Sequence, residues 1–185
     1  MSTYKDANLY HDWTTGRAVT GILHFLNGTP VDWYSKQQNT VETATYGSNF
    51  AAARIATDQI IDPRMALRYL GVPVVEKSYL FGDNQSVVTS FTISHSSLNK
   101  RHNAMLYHRV WEAIAGKILA FFHIDGKTNP SDVLTNTVDI PMLGLTSSGF
   151  YSGEVFRHLW KRMMTTVFPI TMRRHRPKWL QNGVY

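Results

Sequence analysis

Three aspartates stand where this chain can bring carboxylates together. Asp83 closes the run Tyr79-Leu80-Phe81-Gly82, an aromatic and apolar stretch of strand character, and Asn84-Gln85-Ser86 then opens a short helix. Asp6 ends a short predicted strand at 2–6, and Asp132 follows Asn129-Pro130-Ser131, where Pro130 suits the first turn of a helix. The carboxyl ends of strands in an open α/β sheet are where ligands gather. A carboxylate buried there is costly unless a cation or hydrogen-bond donors meet it. Taken alone, an Asp before a helix is more often its cap. Two strand ends and a helix start converging on one point suit an in-line phosphoryl displacement, in which two hard cations about 4 Å apart clamp the attacking and leaving oxygens.

The elements that must position these residues follow from the pattern of the chain. Residues 18–26 are rich in strand formers, Asn27-Gly28 is a hairpin signal, and 29–36 returns with Val31, Trp33 and Ser35 alternating against Asp32 and Tyr34. With 2–6 this predicts a three-stranded meander. From Thr45 the period becomes helical, with Tyr46, Phe50, Ala53, Thr57 and Ile60 on one side of an alanine-rich stretch. Pro63 is expected to interrupt that helix, leaving a second short one over 64–70 that stops at Gly71. The strand leading to Asp83 comes next, capped into its helix by Asn84 or Ser86. A helix over 99–114, a strand over 117–124 and a final helix from Asn129-Pro130 complete the series. Strands first paired in a meander and then alternating with helices imply an α/β fold around a mixed sheet.

Composition sets the bounds. A chain of 185 residues suits one domain of ordinary size. It has no cysteine, which excludes disulfides and thiolate metal sites. No run approaches the ~18 apolar residues of a membrane span. The first residues, Met1-Ser2-Thr3-Tyr4-Lys5-Asp6, lack the apolar core of a secretion signal, so an intracellular protein is expected. Charge is unevenly placed. Residues 1–151 carry 12 Lys and Arg against 12 Asp and Glu, so the whole net charge of +6 lies in residues 152–185. A neutral body and a basic tail are expected to have different tasks.

Six motifs in order carry a family resemblance. Asp6-Ala7-Asn8, Gly16-Arg17-Ala18-Val19-Thr20-Gly21, Pro30-Val31-Asp32-Trp33-Tyr34-Ser35-Lys36-Gln37, Gly82-Asp83-Asn84-Gln85-Ser86, Asn99-Lys100-Arg101-His102 with Tyr107-His108, and Asn129-Pro130-Ser131-Asp132-Val133-Leu134 resemble the ribonuclease H domain of copia-type LTR retrotransposons. The resemblance covers roughly residues 4–137. It implies an RNase H-like fold with a five-stranded mixed sheet and flanking helices, and four carboxylates that bind two Mg2+ ions to cut RNA in RNA–DNA hybrids. Asp6, Asp83 and Asp132 fall on three of those metal-binding, catalytic carboxylates. The fourth, a Glu on the first long helix, is replaced in Tyr46-Gly47-Ser48-Asn49-Phe50 by Asn49. An amide oxygen can touch magnesium, but it brings no charge and takes no proton from water. Glu42 lies two helical turns earlier, with nothing in the sequence to bring it to the site. The basic end of the family motif is also altered, to Asn136-Thr137.

Other conspicuous residues have plainer readings. His123, at a strand end, is expected to be solvated, with proton shuttling as the alternative. His102 and His108, six apart, do not share a helix face. Trp13, Trp33 and Tyr34 have the chemistry to stack on bases, but aromatics in a small sheet are more often core.

The domain is expected to occupy 1–138 and a C-terminal extension 139–185. The extension combines an apolar linker, an amphipathic helix at about 153–168 with Leu159 and Met163 in its stripe, and a basic tail at 170–185. Arg173, Arg174, Arg176 and Lys178 are its candidate contacts to nucleic acid or to an acidic protein surface. The expected function is a free-standing, retrotransposon-derived domain, catalytically impaired at Asn49. It would serve as a binding or structural subunit of a larger protein or ribonucleoprotein assembly, with RNA–DNA hybrid or RNA as a partner. An active, Mg2+-dependent ribonuclease H is the alternative.

Overall fold

A computed structural model of the chain describes residues 1–11, 14–93 and 103–135. Five strands form one mixed sheet: β1 (Ser2–Asn8), β2 (Val19–Leu26), β3 (Thr29–Gln37), β4 (Ser78–Gly82) and β5 (Leu119–His123). Their order across the sheet is β3-β2-β1-β4-β5. The meander is as expected, β1 pairing antiparallel with β2 and β2 with β3. A bulge between His24 and Phe25 sets Pro30 opposite Phe25. Strand β1 runs two residues past Asp6, because Ala7 and Asn8 still find partners in Thr20 and Val19. On its other side β1 pairs parallel with β4, and β4 with β5.

Helix α1 (Thr45–Tyr69) is continuous, which corrects the expected break at Pro63. Proline removes one helical hydrogen bond and crowds the carbonyl four residues back. Here it falls beyond the buried stretch, which ends at Ile60, and the good helix formers Arg64, Met65, Ala66 and Leu67 carry the helix on. It closes at Gly71, with φ of +76°, and the Gly71 and Val72 amides return to Arg68 and Leu67. This is a Schellman end, in which glycine takes the left-handed position without strain.

Helix α3 (Asn103–Ala115) ends the same way on Lys117, whose φ is +56°. The Lys117 amide bonds to Ile114 and the Ile118 amide to Ala113. This turn delays β5 to Leu119, two residues later than the sequence suggested. The expected final helix is a short 3₁₀ turn, Pro130–Leu134, capped by Asn129. The first residues of the helix expected over 99–114, His102 among them, and the extension 139–185 with Arg173, Arg174, Arg176 and Lys178 lie outside the described residues, as does Trp13.

The core lies between the sheet and the helices. Ile22, Phe50, Ala53, Ile60, Leu80, Val87, Phe91, Val110, Leu119 and Phe121 are buried there. Phe50 stacks on Phe91 at 4.4 Å, and Phe91 meets Tyr107 at 5.7 Å and Phe121 at 5.9 Å. Trp33 does not join them. It is 52% exposed on the edge strand β3, whereas Tyr34 packs against the core. Among the described residues, no helix is long and apolar enough to cross a membrane.

Candidate active site

The parallel register of β1 and β4 sets Lys5 opposite Gly82, so Asp83, just past the end of β4, comes beside Asp6, which is still paired to β2. Asp83 is not the cap of α2 (Gln85–Thr92). Asn84 takes that role, its side-chain oxygen accepting from the Val87 amide at 3.2 Å. The carboxylate before it is thereby left to face the cleft, and Asp83 Oδ1 is buried without a hydrogen-bond donor.

The 3₁₀ turn brings Asp132 to the same place. Asn129 ties it to β1 by donating to the Lys5 carbonyl at 3.1 Å, and Ser35 Oγ on β3 donates to the Leu134 carbonyl at 2.7 Å. Gly21, opposite Asp6 in β2, makes room for the turn. A Cβ there would come within 2.9 Å of Thr135, Ser131 and Leu134. Thr135 Oγ1 in turn donates a short hydrogen bond to Asp6 Oδ2.

Asp6, Asn8, Thr45, Asn49, Asp83, Asn84 and Asp132 line one cleft of about 330 Å³. All four expected positions therefore border it. They are not drawn up equally: Asp6 is buried, while Asp132 is exposed at the rim. Among the described residues, no three acidic or histidine side chains stand close enough together to hold a metal ion.

Sequence reasoning passed over Lys5. It is fully buried, on the strand face it shares with Thr3 and Ala7. Its Nζ donates to Asn49 Oδ1 at 2.5 Å, while Asn49 Nδ2 donates to the Thr45 carbonyl at 3.2 Å. Burial pushes the Lys5 ammonium down to about 8, against the pull of Asp83 and Asp6. Burial pushes the Asp6 carboxyl up, opposed by the Thr135 hydrogen bond and assisted by the charge of Asp83. The available signal was a lysine at a strand position alternating with Thr3 and Ala7, where a solvated charge does not belong.

The remaining candidates fall away from the cleft. His123 is exposed, and its Nε2 donates to the Asp83 backbone carbonyl at 3.0 Å, a role in orienting the strand end. Glu42 is buried against Gly47 at the start of α1 and does not line the cleft. His108 is exposed beside the Tyr107 ring.

A divalent cation fits part of this donor set. An orphaned, buried carboxylate oxygen on Asp83 beside the Asp6 carboxyl is what such an ion requires. Asn49 does not replace the fourth carboxylate, since its amide brings no charge and its oxygen already accepts from the Lys5 ammonium.

No family model matches the chain. It is 28% identical over 139 residues to the Retrovirus-related Pol polyprotein from transposon TNT 1-94 of Nicotiana tabacum, across 75% of this chain and 10% of that protein. The chain thus spans about a tenth of the curated relative it matches. Among solved structures, it is similar to LC11-RNase H1, isolated from compost by a metagenomic approach (TM-score 0.55, 16% identity, 77% of this chain and 96% of that one). It is similar also to RNase H1 of the halophilic archaeon Halobacterium salinarum (TM-score 0.53, 19% identity, 73% and 93%). The complex of LC11-RNase H1 with an RNA/DNA hybrid matches at TM-score 0.51 and 15% identity, over 77% and 98%. At these identities the structures establish the fold, and the polyprotein supplies the retrotransposon kinship.

Proposed function

From an RNase H-like domain of retrotransposon kinship, we propose a protein that binds RNA–DNA hybrid at the strand-end cleft and cleaves it weakly or not at all. The observation that carries this is the bond from Lys5 Nζ to Asn49 Oδ1. A bound divalent cation would polarise the phosphate and lower the pKa of an attacking water. Asp6 and Asp83 are the residues to hold it, with Thr135 fixing the Asp6 carboxylate and the Asn84 cap fixing the turn that carries Asp83. Asn49 can neither add negative charge nor accept a proton from water, and its oxygen is engaged. The hybrid held by one structural relative supports the substrate class. The extension 139–185, with Arg173, Arg174, Arg176 and Lys178, would supply the second contact, to nucleic acid or to a protein assembly.

The test pairs binding with cleavage. Fluorescence anisotropy with a labelled RNA–DNA hybrid should show binding, while gels of the same hybrid in Mg2+ show little or no product. Robust cutting by the natural chain would overturn the reading in favour of a working ribonuclease H.

A further inference from the structure

Hydrolysis gives no reason for a lysine under the cleft, yet its surroundings are built around it. A fully buried ammonium is costly to desolvate and persists only where partners hold it. Asn49 Oδ1 accepts from it at 2.5 Å, and the Thr45 carbonyl fixes the amide in that sense. The Lys5 stem fills the space a Cβ at Gly82 would need, against the Phe121 ring edge. Asp83 and Asp6 both attract its charge.

We propose that Lys5 is a built-in cation of this site, standing in place of one of two divalent ions, so that the cleft takes up a single divalent cation at Asp6 and Asp83. This deepens the function proposed above and rests on its reading of the cleft as a cation site. The charges balance. Asp6 and Asp83 less the one ammonium leave one negative charge, and Asp132 at the rim adds a second, so one divalent ion neutralises the cleft lining. A second ion would face a fixed positive charge where solvent screening is weak, and would find no fourth carboxylate.

Counting Mn2+ bound per full-length chain, by calorimetric titration and equilibrium dialysis, tests this without recourse to activity. The natural chain should bind one. Asn49→Glu should also bind one, because Lys5 pairs with the introduced carboxylate. The double variant Lys5→Met/Asn49→Glu should bind two, and Lys5→Met alone should tighten the single site at least about tenfold by removing the repulsion. Circular dichroism establishes that each variant is folded. Any count other than one in the natural chain overturns the proposal, as does a count of two in Asn49→Glu, or of one in the folded double variant. The natural-chain count stands even where a lysine variant fails to fold. Cutting of hybrid by a chain that binds one ion would sink the impaired-hydrolysis reading alone, so the two ideas fail separately.

Discussion

Asn49 and Phe50 are neighbours in α1 and belong to opposite kinds of interior. Phe50 stacks on Phe91 within a core of apolar side chains that fill one another's space. Asn49 faces a lysine with no solvent exposure, two neighbouring carboxylates and an oxygen on Asp83 with no donor. Both regions are buried, but only one is satisfied by the protein alone. One turn of helix thus contributes stability on one side and on the other holds charges that destabilise until a ligand arrives. Burial by itself does not indicate which task a residue performs.

Four measurements break or sharpen that contrast. The largest effect is expected from Phe50→Ala, which should cost about 3–5 kcal/mol in denaturant unfolding through lost contacts and a cavity. A loss under about 1 kcal/mol would mean the core is not where stability resides. Next comes the cation: Mn2+ at about a hundredfold its Kd should add about 2.7 kcal/mol, and Asp83→Asn should abolish the gain. An equal gain in the variant would place the ion elsewhere. Third, Asp6→Asn should raise the melting temperature of the metal-free chain by roughly 2–6 °C, since the folded state disfavours that charge. A fall would show the carboxylate to be already satisfied.

The smallest effect concerns His24, a buried polar group that the protein does satisfy. Its Nδ1 bonds Thr3 Oγ1 at 2.8 Å and its Nε2 bonds Gln59 Oε1 at 3.3 Å, an arrangement that suits the neutral ring. Burial lowers its pKa, against the Gln59 hydrogen bond and the charge of Asp32. Between the lowered folded pKa of His24 and the unfolded 6.5, the folded chain holds fewer protons than the unfolded one, so this contribution to stability falls as pH drops through that window and is constant above it. Melting curves of His24→Phe should lose this part of the acid slope. An unchanged slope would assign it to other groups.

Much of this was legible in the chain, and the omissions have physical causes. Asp83 and Asp132 could be placed because the end of β4 and the turn at Pro130 are local signals, and Asp6 could be placed near them although β1 runs two residues past it. Gly71 could be placed because a left-handed helix end favours glycine. Pro63 misled because a proline outside the packed part of a helix weakens it without ending it. Lys117 misled because a non-glycine residue took the left-handed position and shortened β5. Lys5 was passed over for a different reason: its alternation with Thr3 and Ala7 hinted at burial but named no partner. A lysine in a strand is ordinarily solvated, and its partner Asn49 lies 44 residues away, so only the assembled fold brings the two together.

The order of the strands carries a further consequence, for the sequence of events in folding. The meander β1-β2-β3 closes by pairing segments that follow one another along the chain. The partner that completes the cleft, β4, reaches β1 only after the chain has passed through β3 and α1. Closing that long loop costs entropy before its contacts return anything, which makes parallel pairing intrinsically slower. Asp6 and Asp83 therefore remain apart while the meander forms, and their mutual repulsion opposes only the step at which β4 docks. The pairing of Asp6 with Asp83 thus follows the meander, and a cation present during refolding would accelerate the docking of β4 while leaving the formation of the hairpins untouched.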